Sequence, residues 1–77
     1  MPNSNIPQHR IRLGRAIRRR RLKLRLSQEA LAERVGCHRN YVGNVERGEQ
    51  NLTLDMTARF SAALHWKIAD LMRAANI

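Results

Sequence analysis

Residues 36 to 48 read Gly36-Cys37-His38-Arg39-Asn40-Tyr41-Val42-Gly43-Asn44-Val45-Glu46-Arg47-Gly48. A glycine at each end, with a short turn and about two and a half helical turns between, marks a compact helix entered and left sharply. On the helical period the segment has two faces. Tyr41, Val42 and Val45 form an apolar stripe, joined by Cys37 ahead of the helix, while Arg39, Asn40, Gly43, Asn44 and Arg47 gather on the other side. Two asparagines and a glycine weaken so short a helix, the glycine alone by about 0.8–1 kcal/mol against alanine. The polar face offers guanidinium, two carboxamides and a bare strip of backbone, with no acid among them. These groups suit DNA base edges: Arg is bidentate to guanine, Asn to adenine, and Gly permits close approach. Taken alone, the segment also reads as an ordinary solvated helix face.

The residues just upstream narrow the choice. Ser27 is a good N-cap, Glu29 sits where the helix dipole favours an acid, and Leu31 and Val35 are an i, i+4 apolar pair ahead of Gly36. Two short helices joined by a turn containing glycine form a helix-turn-helix, here about residues 27–47. Through LSQEALAERVG (26–36), HRNYVGNVERG (38–48) and NLTL (51–54), the chain resembles the Cro/lambda-repressor-like (XRE) family of DNA-binding domains, over about Leu13 to Met72. The resemblance implies an all-α, five-helix domain with a central helix-turn-helix. It implies a homodimer on an inverted-repeat DNA operator, each recognition helix in a major groove and half-sites roughly 34 Å apart. Arg39, Asn40 and Asn44 would read bases, and Gln28, Tyr41, Arg47 and Asn51 would fix register on phosphates.

Further roles follow from the same resemblance. Glu46 lies on the inward side of the helix, where an unpaired carboxylate is costly, and Arg21 stands where the family places an arginine to pair with it. Glu29 and Glu33, on the exposed side of the preceding helix, occupy positions that contact RNA polymerase in activating phage repressors; a solvated helix surface is the other reading. Members this short dimerise through the C-terminal helix, which makes Trp66, Ile68, Leu71 and Met72 the expected interface. The brevity and the string from His38 to Leu54 look most like the controller proteins of restriction-modification systems, with a phage-type repressor and an antitoxin-type autorepressor as rivals.

Seventy-seven residues make one small domain with little core to spare. The net charge of +9 is unevenly placed. Every ionised side chain in residues 1–26 is basic, whereas the six basic and six acidic residues of 27–77 cancel. The first helix therefore supplies the long-range attraction to a polyanion. A non-specific RNA- or membrane-binding protein driven by Arg18 to Arg21 is the reading from another class. No nucleophile-base pair or phosphate loop is visible, and His9, His38 and His65 are not at metal-ligand spacing. The expectation is a non-enzyme without metal, cofactor or small-molecule ligand. Cys37 reads as a small buried hydrophobe, and the lack of a signal peptide or a membrane-length apolar run points to the cytoplasm.

The remaining organisation is read from the ends inward. Residues 1–6 form an arm and 7–77 the domain, with Pro7 the first helical residue and a first helix over 8–24 whose stripe is Leu13, Ile17, Arg20 or Arg21, and Leu24. Arg20, Arg25 and His65 depart from the family, which has leucine at the first and glycine at the other two. Arg20 is expected to bend outward on its aliphatic stem. Thr53 caps a fourth helix through Leu64, beside which Asn51 is placed to meet a phosphate, and a last helix runs from about Lys67 to Ala75.

Overall fold

A computed structural model describes residues 5–77; positions 1–4 of the expected arm lie outside the described residues. The described residues form five helices and no strand: α1 (Gln8–Lys23), α2 (Gln28–Val35), α3 (Arg39–Glu46), α4 (Leu54–Ala63) and α5 (Ile68–Ala75). Pro7 is not the first helical residue. Its ψ of 141° is extended, and its carbonyl receives Arg10 and Ile11 N–H, so it stands one residue ahead of the helix.

All five helices end alike. The N–H of the second or third residue past each helix reaches back five residues: Leu26 to Arg21 O, Cys37 to Ala32 O, Glu49 to Asn44 O, Trp66 to Ser61 O and Ile77 to Met72 O. Such an ending needs one residue in the left-handed region. Gly36 and Gly48 supply it at φ 86° and 80°, but Arg25, His65 and Asn76 adopt it at about 60° without glycine's freedom. The two departures at 25 and 65 therefore keep the family's backbone and accept its strain.

The core is aliphatic around a single aromatic. Ile17, Leu31, Val42, Phe60, Leu64 and Leu71 are fully buried, drawing on all five helices and the turn after α4. α1 spans the assembly, packing on α3 with one flank and on α5 with the other, while α4 closes over α2 and α5. Its crossing of α3 is unusually close. A Cβ on Gly14 would strike Val45 O and lie 2.6 Å from Glu46 O, so backbone meets backbone at the end of the recognition helix.

Arg20 does not bend outward. Its Nε donates to Leu64 O at 3.0 Å, and its guanidinium stacks 4.7 Å from the centre of the Trp66 ring. The end of α4 exposes carbonyls that need donors, and the indole offers a cation a π face; together they hold the arginine where a leucine would only have packed.

Candidate nucleic-acid interface

Two caps set the geometry of the helix-turn-helix. Ser27 Oγ accepts the Ala30 N–H at 3.0 Å and opens α2. α3 is capped by His38, whose Nδ1 accepts the Asn40 N–H at 3.0 Å, a role the sequence reading did not assign. An imidazole nitrogen can accept only while it carries no proton, so this cap fixes the tautomer with hydrogen on Nε2.

Between these helices lies a shallow polar depression lined by Gln28, Arg39, Asn40, Gly43, Asn44 and Arg47. It gathers all three residues expected to read bases and two of the four expected on phosphates. Gly43 is part of the floor: a Cβ there would stand 3.3 Å from Arg47 Nη1 and 3.8 Å from the Gln28 amide. The absent side chain thus keeps the depression open at the cost in helix propensity noted above. The cationic heads rest on exposed acids, Arg39 on Glu29 at 3.3 Å and Arg47 on Glu49 at 3.1 Å, and Arg47 also donates to Asn44 Oδ1. Exposed pairs of this kind contribute about 0–1 kcal/mol, so both guanidiniums can leave them for a base or phosphate at little cost.

Beneath the depression is a buried network. Glu46 Oε2 accepts from Arg21 Nε at 2.6 Å, and Oε1 from Arg21 Nη2 at 3.0 Å and from Gln28 Nε2 at 3.1 Å. Arg21 Nη1 closes the loop end of α1 by donating to Leu26 O at 2.8 Å. The bidentate pair therefore ties α1 to α3, and the third bond holds the Gln28 side chain of α2 at the rim. Gln28 was legible as a surface contact, but its anchoring by Glu46 was not.

Other expected site residues are more dispersed. Tyr41 turns its ring toward Phe60, with centroids 6.3 Å apart, and burial pushes its phenol above the ordinary range. Asn51 is exposed in the loop before α4 and outside the depression. Glu33 is exposed on α2, while Glu29 is engaged by Arg39. On α5 and its lead-in, Trp66, Ile68 and Met72 are half-buried, but Leu71 is fully buried in the chain's own core and is not part of a surface shared with a partner. Ile68, Leu71 and Met72 cover more than one face of so short a helix, and packing within the chain took Leu71 inward. Cys37 is half-buried between the two helices, and burial raises its thiol pKa against the opposing pull of Arg59. No helix among the described residues is long and apolar enough to cross a membrane.

Residues 17–71 match the helix-turn-helix family model. Control protein C.BamHI of Bacillus amyloliquefaciens is 39% identical over 69 residues, spanning 88% of this chain and 85% of that protein. Among solved structures, the restriction-modification controller protein C.AhdI from Aeromonas hydrophila superimposes with a TM-score of 0.77 at 38% identity, over 79% of this chain and 92% of that one. The clp gene regulator ClgR from Corynebacterium glutamicum gives a TM-score of 0.88 at 27% identity, over 96% and 95%.

Proposed function

The chain belongs to the helix-turn-helix family of DNA-binding transcription regulators, and from that premise we propose that it binds an inverted-repeat operator as a homodimer. The observation that carries the proposal is the single depression in which Gln28, Arg39, Asn40, Gly43, Asn44 and Arg47 converge without an acid in its lining. Arg39, Asn40 and Asn44 supply the donors and acceptors that match base edges, and Gln28 and Arg47 flank them as backbone contacts. Asn51, at the entry to α4, and the Tyr41 hydroxyl complete the phosphate contacts. Self-association uses the half-buried Trp66, Ile68 and Met72.

The control and controller proteins among its relatives support assigning it to the regulation of a restriction-modification operon, where it would act on its own promoter and on the endonuclease gene. Glu33, with Glu29 when Arg39 moves to DNA, is the surface we assign to RNA polymerase. The likeness to a clp gene regulator shows that the same fold serves other promoters, so a phage-type repressor and an antitoxin are the competing assignments. The genes adjoining this one separate the three.

The test is footprinting of the protein on the DNA upstream of its own gene, with sedimentation of the complex. The expected result is a two-fold symmetric footprint bound by two chains. Arg39→Ala should weaken it by about 1–3 kcal/mol and relax base choice at the contacted position, with little change on unrelated DNA. A monomer bound to an asymmetric site would overturn the dimer, and equal affinity for all sequences would overturn the regulator.

A further inference from the structure

Arg12, Arg15, Arg19 and Lys23 recur at i, i+3, i+7 and i+11 along α1, and all four are exposed. At 3.6 residues per turn they lie about 100–180° around the helix from Gly14, and they form a straight row about 16 Å long. Gly14 and, two turns on, Arg21 both face α3, so the row is turned away from the recognition helix. It shares no residue with the depression on α3, and the body of α1 stands between them.

The row is held in place without being neutralised. Arg12 Nη1 and Arg19 Nη2 donate to Asn76 O and Ala74 O at the end of α5, at 3.5 and 3.2 Å, and Arg15 lines the same shallow recess. Backbone carbonyls orient a guanidinium but leave its charge and most of its donors free. The ion pairs among the described residues join Arg21, Arg39, Arg47 and Arg73 to acids; none involves this row. Four like charges along one line repel one another, and a polyanion with regularly spaced charges relieves that repulsion.

We propose that this row is a second DNA-binding surface, which takes the phosphate backbone of a separate duplex segment while α3 holds the operator. The inference rests on the reading of α3 as the operator-facing helix. A lipid surface fits less well, because the apolar side of α1 is spent on the core, with Ile17 fully buried. Duplex DNA is also the polyanion at hand, since operator binding raises the local concentration of neighbouring segments.

The experiment uses the full chain on an immobilised inverted-repeat operator duplex, chosen by selection from a random pool, which occupies both recognition helices of a dimer. A fluorescent duplex of unrelated sequence is then added at low salt. Wild-type protein should retain it and release it as salt rises. Arg15→Gln with Lys23→Gln removes two charges and no hydrogen bond. That variant should keep its operator affinity within about twofold, retain at least about fivefold less of the second duplex, and show a salt slope shallower by about 1.8. Failure of the wild type to retain the second duplex, equal retention by the variant, or parallel loss of operator binding would each overturn the proposal. So would displacement of the duplex by poly-glutamate but not by free DNA, which would mark an acidic protein as the occupant. Direct titration of the selected operator duplex and of an unrelated one with Arg39→Ala/Asn44→Ala separates the two readings: if α3 faces the operator, the variant loses affinity on the first and not on the second. If α3 does not face DNA, that variant matches wild type on every sequence, whereas the loss of charge at 15 and 23 still registers.

Discussion

Replacing Glu46 by leucine should unfold much of the protein, and replacing its partner as well should rescue it. Arg21 and Glu46 are only 7% and 8% exposed. The carboxylate receives three hydrogen bonds, two of them from the guanidinium at 2.6 and 3.0 Å. Glu46→Leu leaves that guanidinium buried without a counter-charge, at a cost of about 3–5 kcal/mol. A chain of this length has a total stability of about 4–12 kcal/mol, so the single variant loses a large part of it. Arg21→Met with Glu46→Leu removes both charges and adds apolar volume. What remains unmet is Leu26 O and the Gln28 amide, at about 1 kcal/mol each, so the double variant should lose only about 0–2 kcal/mol. Urea unfolding followed by circular dichroism measures both, and the double variant should be more stable than Glu46→Leu alone by about 1–5 kcal/mol. The double variant should still bind its operator more weakly, because Gln28 has lost its anchor. Equal destabilisation by the single and double variants would refute the argument.

Three further outcomes follow from the geometry. Arg25→Gly should stabilise the fold by about 1 kcal/mol, since Arg25 sits at φ 59° with its side chain exposed, and thermal unfolding would show the shift. Gly43→Ala should leave the fold as stable or more so, because its Cβ meets only the mobile end of Arg47 at 3.3 Å, yet weaken operator binding by about tenfold in a titration, by filling the depression. The Cys37 thiol and Tyr41 phenol are both shifted upward, chiefly by burial, so the folded state holds their protons to higher pH than the unfolded chain does. Their contribution to stability is therefore present below the unfolded values, about 8.5 for the thiol and about 10 for the phenol, and is lost as pH rises from those through the higher folded values; Cys37→Ala should reduce the earlier part of that decline in unfolding measured above about pH 8.

Much of this architecture is written in local signals. Ser27, Gly36 and Gly48 punctuate the helix-turn-helix because capping oxygens and positive φ act within a few residues, and these are the positions at which the helices begin and end. The Arg21–Glu46 pair was legible for a different reason: an acid among Val42 and Val45 has to be answered, and the resemblance named the arginine. What escaped the sequence depends on segments far apart in the chain. Gly14 looks like a weak point within α1 until α3 is laid across it. Arg20 looks like a cation bound for solvent until Leu64 O and Trp66 arrive from the other side of the core. Leu71 and Met72 are adjacent on an amphipathic helix, and only the seating of α5 on α1 decides that the first is core and the second half-exposed. Charge alone makes the nine cations of the first 26 residues one long-range attractor, but Arg21 is a buried tether, Arg20 caps the end of α4, and Arg12, Arg15, Arg19 and Lys23 form an exposed row.

The most direct test of the central claim is selection of bound sequences from a random duplex pool, followed by a salt titration on the winner. The expected result is a two-fold symmetric site, preferred over random DNA by at least about a thousandfold, whose symmetry-related bases lose their preference when Arg39 or Asn44 is replaced by alanine. A pool that yields no enriched sequence, with affinity falling uniformly as salt rises, would contradict it: binding would then belong to the arginines of α1 alone.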